Sequence, residues 1–423
     1  MSDKTPVYIK DVLVKDFKCF QGENLFSFVD DEGNWCRWTV FLGDNNTGKT
    51  NLLKAIASLE PYDRLSDDNE RTYFPLGSRE NTVSDKAAVL GLNICPDRKE
   101  QIYSKPDFLE SLEDKSFDGL MYSATFVIGH SNILLKELFI YGYGVTRNIE
   151  PKGIATIQQS TLNAANLFYD TKLINFEDWL FQLDWAAKSN NKQAASRLEL
   201  VKKLLKSDIF PEIKDIQFVS DENINNYIEF QTENGWHKLS ELGYGYRATL
   251  SWMCDFCKKM FERYPESANP LKEPAVLLID EIDLHLHPQW QRNIIRYLSD
   301  IFSATQFIVT THSPFIIQSM ECVNLYTLQR EGDHTNVKHW GNRSFIGWKI
   351  EEILSDVMGL EDNVYTDTYQ DLMKKFDNAL DTDDYEKGRG AFEALKKILH
   401  PESVQRKLLD IQFSQLVPEK QND

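Results

Sequence analysis

Phe41-Leu42-Gly43-Asp44-Asn45-Asn46-Thr47-Gly48-Lys49-Thr50 is the stretch whose reading decides the fold. The apolar run Trp38–Leu42 has β-propensity and leads directly into it, and Leu52-Leu53-Lys54-Ala55-Ile56-Ala57 beyond it opens a helix. Strand, G-x-x-x-x-G-K-T and helix therefore stand in the order that a phosphate loop requires. The glycines let the backbone bend so that successive N–H groups face one anion. The helix start adds the positive end of its dipole. The nucleotide-binding set is Gly43, Asp44, Asn45, Asn46, Thr47, Gly48, Lys49, Thr50 and Asn51. Lys49 supplies a point charge for the β- and γ-phosphates of ATP, and the Thr50 hydroxyl ligates Mg²⁺. A plain Gly/Asn turn is the weaker reading, because both flanks are correct.

The composition bounds what kind of protein carries this loop. A chain of 423 residues accommodates two or three domains, and 42% hydrophobic with 12% aromatic residues is ample for a core. Sixty-five Asp and Glu against 47 Lys and Arg leave a net charge of −18, which argues against a broadly basic nucleic-acid binder. Lys202, Lys203, Lys206 and Lys214 form a local basic cluster, read as a solvated face. Of the six cysteines, only Cys254 and Cys257 form a C-x-x-C pair, and they lie in a helical pattern with no second pair near by. They read as buried helix thiols rather than as a zinc or redox site. The N-terminus is polar and no apolar run spans a bilayer, so a soluble cytoplasmic protein with reduced thiols and no membrane partner is expected.

Residues 7–20, 26–29 and 35–42 read as an antiparallel β layer feeding the phosphate-loop strand. A surface loop follows over 60–84, strands over 87–94 and 121–128, and a glycine- and tyrosine-rich turn over Tyr141–Arg147. Periodicity gives helices within 161–206, and a β meander is read over 215–219, 227–231 and 236–239. A helix over 247–264 and a linker loop over 265–274 lead to two short apolar strands, 276–279 and 306–310, of buried parallel character. The tail is charged and helical over 348–358, 366–379, 383–398 and 401–416. The expected organisation is an N-terminal lobe over 1–60, a mostly helical insertion with some strands over 61–235, a C-terminal lobe over 236–340, and a helical partner-docking region over 341–423.

Val276-Leu277-Leu278-Ile279-Asp280-Glu281 is a buried strand ending in two carboxylates, which places both at the C-terminal edge of a parallel sheet. Asp280 holds Mg²⁺ through water, and Glu281 orients or deprotonates the attacking water. Asp283, His285 and His287 read as a loop packed against a neighbour rather than a metal site, and Pro288 opens the next helix. Thr310-Thr311-His312 ends the following strand, where a histidine reaches a γ-phosphate and reports its presence. The catalytic candidates are thus Lys49, Glu281 and His312.

Taken together these elements resemble the α/β, ABC-type ATPase head shared by RecF, SMC/Rad50 and the OLD family. That resemblance implies a mixed β-sheet with a P-loop core, a helical insertion and a C-terminal helical region. Asp16-Phe17-Lys18-Cys19-Phe20 is similar to the class's first turn, Asp280–Pro288 to its Walker B and D-loop, and Thr310–Pro314 to its switch-histidine motif. The class also requires a signature motif, supplied in trans by a second head. Leu239–Arg247 is the candidate: Gly245 is the favoured signature glycine, with Ser240 and Gly243 as hedges and Arg247 closing the motif. Gly243 stands in place of the family's Ser, and Asn46 in place of its usual loop Gly. Tyr141–Arg147 resembles a Y-G-x-x-R turn of OLD-like heads, and Gln158 and Gln159 are weak candidates for the Q-loop glutamine.

The tail beyond Trp348 is similar to that of the PtuA family of Septu and retron-associated anti-phage ATPases. This implies ATP and Mg²⁺ as ligands, a homodimer or a higher assembly of dimers, and a separate PtuB-like HNH nuclease docked on the C-terminal helices. Contact with nucleic acid, and a retron reverse transcriptase with its non-coding RNA, stay open as further partners. The alternative is a RecF-like DNA-repair ATPase without a nuclease, binding DNA through Lys202, Lys203 and Lys206. A chain that cuts nucleic acid itself would use Asp381 and Asp383, which sit between helices. A non-hydrolysing scaffold completes the rivals.

Overall fold

The six residues of β3 (Trp38–Gly43) run through the middle of a six-stranded sheet, and the first five are buried. The computed structural model describes residues 6–60, 89–96, 123–124, 137–150, 163–169, 171–223, 225–360 and 365–416. Gln158, Gln159 and the loop read over 60–84, beyond Glu60, lie outside the described residues. The chain divides into two compact units, Met1–Trp348 and Lys349–Asp423.

In the first unit, β1 (Val7–Phe17), β2 (Phe20–Ser27), β4 (Val89–Pro96) and β5 (Ser123–Ala124) form one sheet in the order β2-β1-β4-β5. The central sheet also takes β6 (Ile140–Tyr143), β10 (Ala275–Ile279), β11 (Thr305–Thr311), β12 (Val323–Glu331) and β13 (His334–Arg343), in the order β13-β12-β3-β11-β10-β6. A third sheet is the meander β7 (Asp215–Ser220), β8 (Asn226–Thr232) and β9 (Gly235–Lys238). The helices are α1 (Lys49–Ala57), α2 (Ala165–Phe168), α3 (Phe176–Lys188), α4 (Lys192–Leu205), α5 (Tyr244–Arg263), α6 (Pro288–Ile301) and α7 (Pro314–Gln318).

All neighbours in the central sheet pair in parallel except β12 with β13. Strands buried on both faces need continuous apolar side chains rather than alternation. Ala275-Val276-Leu277-Leu278-Ile279 and Phe307-Ile308-Val309 supply them, and every residue of β10 and β11 is buried. The register aligns the carboxyl ends: Ile279 lies opposite Val309, and Thr311 opposite Leu42. The phosphate loop, Asp280-Glu281 and His312 therefore leave three adjacent strands at one edge.

Structure and sequence reading differ at four points. Tyr141-Gly142-Tyr143, read as part of a turn, belongs to strand β6, because both tyrosines bury their rings: Tyr141 lies edge-on to Phe256 at 5.2 Å. α5 begins at Tyr244, three residues before the expected start. The β12–β13 hairpin was not anticipated at all, although Val323, Leu325, Tyr326 and Leu328 favour a strand and Gly332 takes φ 62° at the turn, as a tight hairpin demands. β6 lies inside the interval read as an insertion, yet it is a strand of the central sheet.

The core between the sheets is an aromatic–aliphatic cluster. Phe26 meets Phe20, Phe41 and Tyr326 edge-on, and Leu52, Leu53 and Ile56 of α1 pack into the same cluster. Gln306 is among the polar side chains that join the two sheets. The Gln306 amide accepts from the Ile9 N–H at 2.9 Å and donates to the Ile9 carbonyl at 2.9 Å. A register shift between Ile9 and Asp11 interrupts the β1–β4 ladder at that point, so the amide stands in for a strand partner.

α5 is anchored to β6 by Tyr143, whose hydroxyl donates to Asp255 at 2.7 Å, with Lys259 at 2.9 Å from the same carboxylate. Cys254 and Cys257 are fully buried in this helix and burial pushes both thiols well above their ordinary range. No group of three metal-ligating side chains occurs among the described residues. The basic cluster is largely neutralised: Lys202 pairs with Glu199, Lys206 with Asp215 and Lys214 with Glu233. Among the described residues no helix is long and apolar enough to cross a membrane.

The second unit contains α8 (Asp367–Asp381), α9 (Tyr385–Ile398) and α10 (Val404–Leu416) around Phe376, Phe392, Leu395 and Leu409. Asp381-Thr382-Asp383-Asp384 is the turn between α8 and α9: Asp384 caps α9 by accepting from the Lys387 N–H at 3.1 Å, and Asp383 takes φ 49°.

Replacing Gln306 with Leu keeps the volume but strands the Ile9 N–H and C=O in the core. Each unpaired buried group costs about 1–3 kcal/mol. Urea unfolding of Gln306→Leu is expected to show a loss of about 2–4 kcal/mol with an unchanged m-value.

Candidate nucleotide site

The phosphate loop owes its shape to its own carbonyls and to left-handed residues. Asn46 takes φ 64°, which Asn tolerates better than most side chains. Gly48 takes φ 92° and caps α1. A Cβ there would also lie 2.3 Å from the Cys19 Sγ, so both conformation and space require glycine. Thr47 is buried and its hydroxyl donates to the Asp44 carbonyl at 2.8 Å. The Lys49 ammonium donates to the carbonyls of Gly43 at 2.7 Å and Asp44 at 2.8 Å. An ammonium has three N–H donors, so one remains for an anion. Burial pulls Lys49 below its ordinary value, against the raising pull of Asp280 and Glu281. Asn51 accepts from Lys18 at 3.0 Å, tying the first turn of the chain to α1. Asp44 and Asn45 are exposed at the loop crest.

Asp280 is the meeting point of three strands. One carboxylate oxygen accepts from the Thr50 hydroxyl at 2.6 Å and the other from the Thr310 hydroxyl at 2.6 Å. Thr310 accepts in turn from the Glu281 N–H at 2.8 Å. Glu281 takes φ 47°, a left-handed conformation that is costly for a side chain of this size. Its carboxylate lies 3.9 Å from His312 Nε2, and both side chains are about one-third exposed. Thr50 and Asp280 offer hydroxyl and carboxylate oxygen alone, the hard donor set that suits Mg²⁺.

The elbow after β10 is gripped by Arg147, whose Nη2 donates to the carbonyls of Asp280 at 2.8 Å and Glu281 at 3.0 Å. Arg147 is 4% exposed. Burial lowers its guanidinium to about 10, with Asp280 the strongest pull the other way, so it stays cationic at neutral pH. Sequence reasoning singled out its turn but gave Arg147 no role, and gave none to Thr310 as a bridge. Their signals were a lone arginine after a glycine pair and a polar residue in an otherwise apolar strand.

The residues read from the sequence as a D-loop have structural partners within the chain. The Thr311 hydroxyl donates to Asp283. His287 caps α6, accepting from the Gln289 N–H at 3.3 Å. His285 takes φ 63° and lies edge-on to Tyr244 at 4.6 Å. Of the signature candidates, Ser240 is exposed in a short 3₁₀ turn. Gly243 is exposed at the N-cap of α5, which has no side-chain cap. Gly245 lies in the first turn, where a Cβ would stand 2.3 Å from the His285 carbonyl. Arg247 approaches the Tyr244 ring at 5.5 Å.

The AAA ATPase domain family matches residues 148–317. Septu protein PtuA of Bacillus thuringiensis is 27% identical over 387 residues, covering 89% of this chain and 92% of its own. The retron Ec83 probable ATPase of Escherichia coli is 34% identical over 131 residues, 31% of this chain and 24% of that relative. Among solved structures, the SMC head bound to the C-winged helix domain of ScpA covers 79% of this chain and 98% of that one, at a TM-score of 0.40 and 16% identity. The chain is an ATPase with a match to the AAA ATPase domain, similar to PtuA over most of its length.

Arg147→Met removes a charged grip from two carbonyls without opening a large space. Steady-state ATPase assays are expected to show kcat reduced about tenfold or more, because the Glu281 elbow is freed, while equilibrium nucleotide affinity changes less. Thermal unfolding should also report a loss of roughly 1–3 kcal/mol for the stranded carbonyls.

Proposed function

We propose that this chain is the ATPase subunit of an anti-phage defence complex, in which two heads sandwich two ATP molecules and thereby control a separate HNH nuclease. The observation that carries the reading is the single oxygen hub at Asp280, which draws the phosphate loop, Glu281 and His312 to one strand edge. Likeness to PtuA over most of the chain supports the defence setting.

In this reading Lys49 and the loop N–H groups hold the phosphates, and Thr50 and Asp280 hold Mg²⁺. When bound there, Mg²⁺ would supply charge neutralisation to the phosphates. Glu281 orients the attacking water and takes its proton on the carboxylate as the bond from the γ-phosphorus to the bridging oxygen breaks. His312, within 3.9 Å of Glu281, reports on the γ-phosphate. The uncapped start of the 20-residue α5 presents its free N–H groups at Gly243–Gly245 to the nucleotide of a second copy. Gly245 is already needed against the chain's own His285 carbonyl, so exposed Gly243 is the residue offered outward. The helical unit from Lys349 carries the nuclease.

Two of the three lysines behind the DNA-repair alternative, Lys202 and Lys206, are paired with carboxylates, which reduces the positive charge that surface can offer.

Glu281→Gln keeps the shape of the elbow and removes the base. Light scattering after size-exclusion chromatography should show an ATP-dependent dimer that persists, with hydrolysis reduced about a hundredfold or more. A variant that dimerises no better than wild type in ATP would sink the two-head mechanism.

A further inference from the structure

The tip of the β12–β13 hairpin reaches back across the sequence to the phosphate loop. Thr335 is 4% exposed. Its N–H donates to the Cys19 carbonyl at 2.8 Å, and its hydroxyl donates to the Thr47 carbonyl at 3.0 Å. The Cys19 thiol approaches that same carbonyl at 3.9 Å, a weak second contact. Three segments thus meet at one peptide group: the β1–β2 turn, the phosphate loop and a hairpin 288 positions further along the chain.

The peptide joining Thr47 to Gly48 is planar and trans, so its C=O and N–H point in opposite directions. Whatever holds the Thr47 carbonyl on one side aims the Gly48 N–H to the other, into the bend of the loop. Gly48 needs such a hold, because glycine populates both signs of φ readily and a peptide beside it reorients at little cost. At φ 92° this residue is also the N-cap of α1. A rotated peptide would turn a carbonyl toward the anion and remove one donor from the cradle.

We propose that Thr335 is a positioning residue for ATP binding: its hydroxyl locks the Thr47–Gly48 peptide so that the Gly48 N–H faces the phosphates. The proposal rests on the reading of Gly43–Thr50 as the ATP site. It assigns the β12–β13 hairpin a function beyond closing the sheet edge. The backbone amides of such a loop cradle the α- and β-phosphates, so ADP depends on the lock as much as ATP does.

The test compares Thr335→Val, which keeps the shape and loses the hydroxyl, with Thr335→Ser, which keeps the hydroxyl. Thr335→Ala serves as a second hydroxyl-free variant should Val impair folding. Each is measured in the full chain for ATP and ADP affinity by equilibrium titration, and for KM and kcat. The hydroxyl-free variants are expected to lose about tenfold in affinity for both nucleotides and to raise KM equally, with kcat within about twofold of wild type. Thr335→Ser should bind as wild type does. Affinities within twofold of wild type for Val and Ala, or a Ser variant as weak as Val, would overturn the role of Thr335. Lys49→Ala separates the two readings. Loss of binding there with an unaffected Thr335→Val removes the hairpin's role alone. Undiminished binding in Lys49→Ala removes the loop as the ATP site, and the hairpin's role with it.

Discussion

Asp280 is 1% exposed and ends a strand buried along its whole length. A carboxylate so placed is costly unless its oxygens are satisfied. Here each oxygen takes a hydroxyl, from Thr50 on one side and Thr310 on the other. That demand reaches well beyond one residue. Thr50 belongs to the helix after β3, and Thr310 lies on β11, the strand between β3 and β10. Satisfying Asp280 therefore requires the parallel register to be correct across three strands. A slip of one residue would turn Thr310 to the opposite face and leave a buried charge without a donor. The site and the fold share this constraint, which is why polar residues are tolerated in the centre of an apolar sheet.

Around this hub the backbone departs from its easy conformations. Asn46, Gly48, Glu281 and His285 all have positive φ, and all lie within the loops that leave the same strand edge. Non-glycine residues held there cost of order 1–3 kcal/mol each, and they persist where surrounding bonds over-determine them. Those bonds are visible for Glu281: its N–H donates to Thr310, and its carbonyl accepts from Arg147. The strain is thus held by β6 and β11, and the Glu281 carboxylate is delivered toward His312 without any contact of its own holding the backbone. The role of general base proposed for Glu281 is served by this placement, fixed by the scaffold and left one-third exposed.

Much of this was legible in the sequence because the phosphate loop, the Asp-Glu strand and the Thr-Thr-His strand each carry local chemistry at a fixed offset. A continuous apolar run of four or five residues could only be a buried strand once a catalytic pair ended it. The signals that failed were non-local. Tyr141-Gly142-Tyr143 has the composition of a turn, and only the tertiary burial of both rings makes it a strand. Val323–Leu328 lies past the motifs, and nothing nearby shows that its partner is the phosphate-loop strand some 280 residues earlier in the chain. Arg147 and Thr335 act through backbone carbonyls, which every residue has, so no pattern of residue types marks their targets. The Thr50–Asp280 and Thr310–Asp280 bonds follow from register, which a sequence without pairing information does not contain.

The loop over residues 283–287, read from the sequence as packed against a neighbour, finds packing partners within this chain. His285 presents its carbonyl to Gly245 in the first turn of α5, while its ring meets Tyr244. Two residues earlier, Asp283 accepts from Thr311, whose neighbour is His312. Leu286 offers its carbonyl to Gln291, and Gln291 accepts from Ser313 on the far side of that histidine. A contiguous set of contacts therefore runs from the exposed start of the signature helix to both sides of His312. Gly245 must be glycine for this packing whether or not a second chain is present. Its lack of a side chain is an internal requirement, whereas Gly243 at the uncapped helix start is exposed. The exposed start of α5 and the surroundings of His312 are thus joined within this chain by packing and hydrogen bonds.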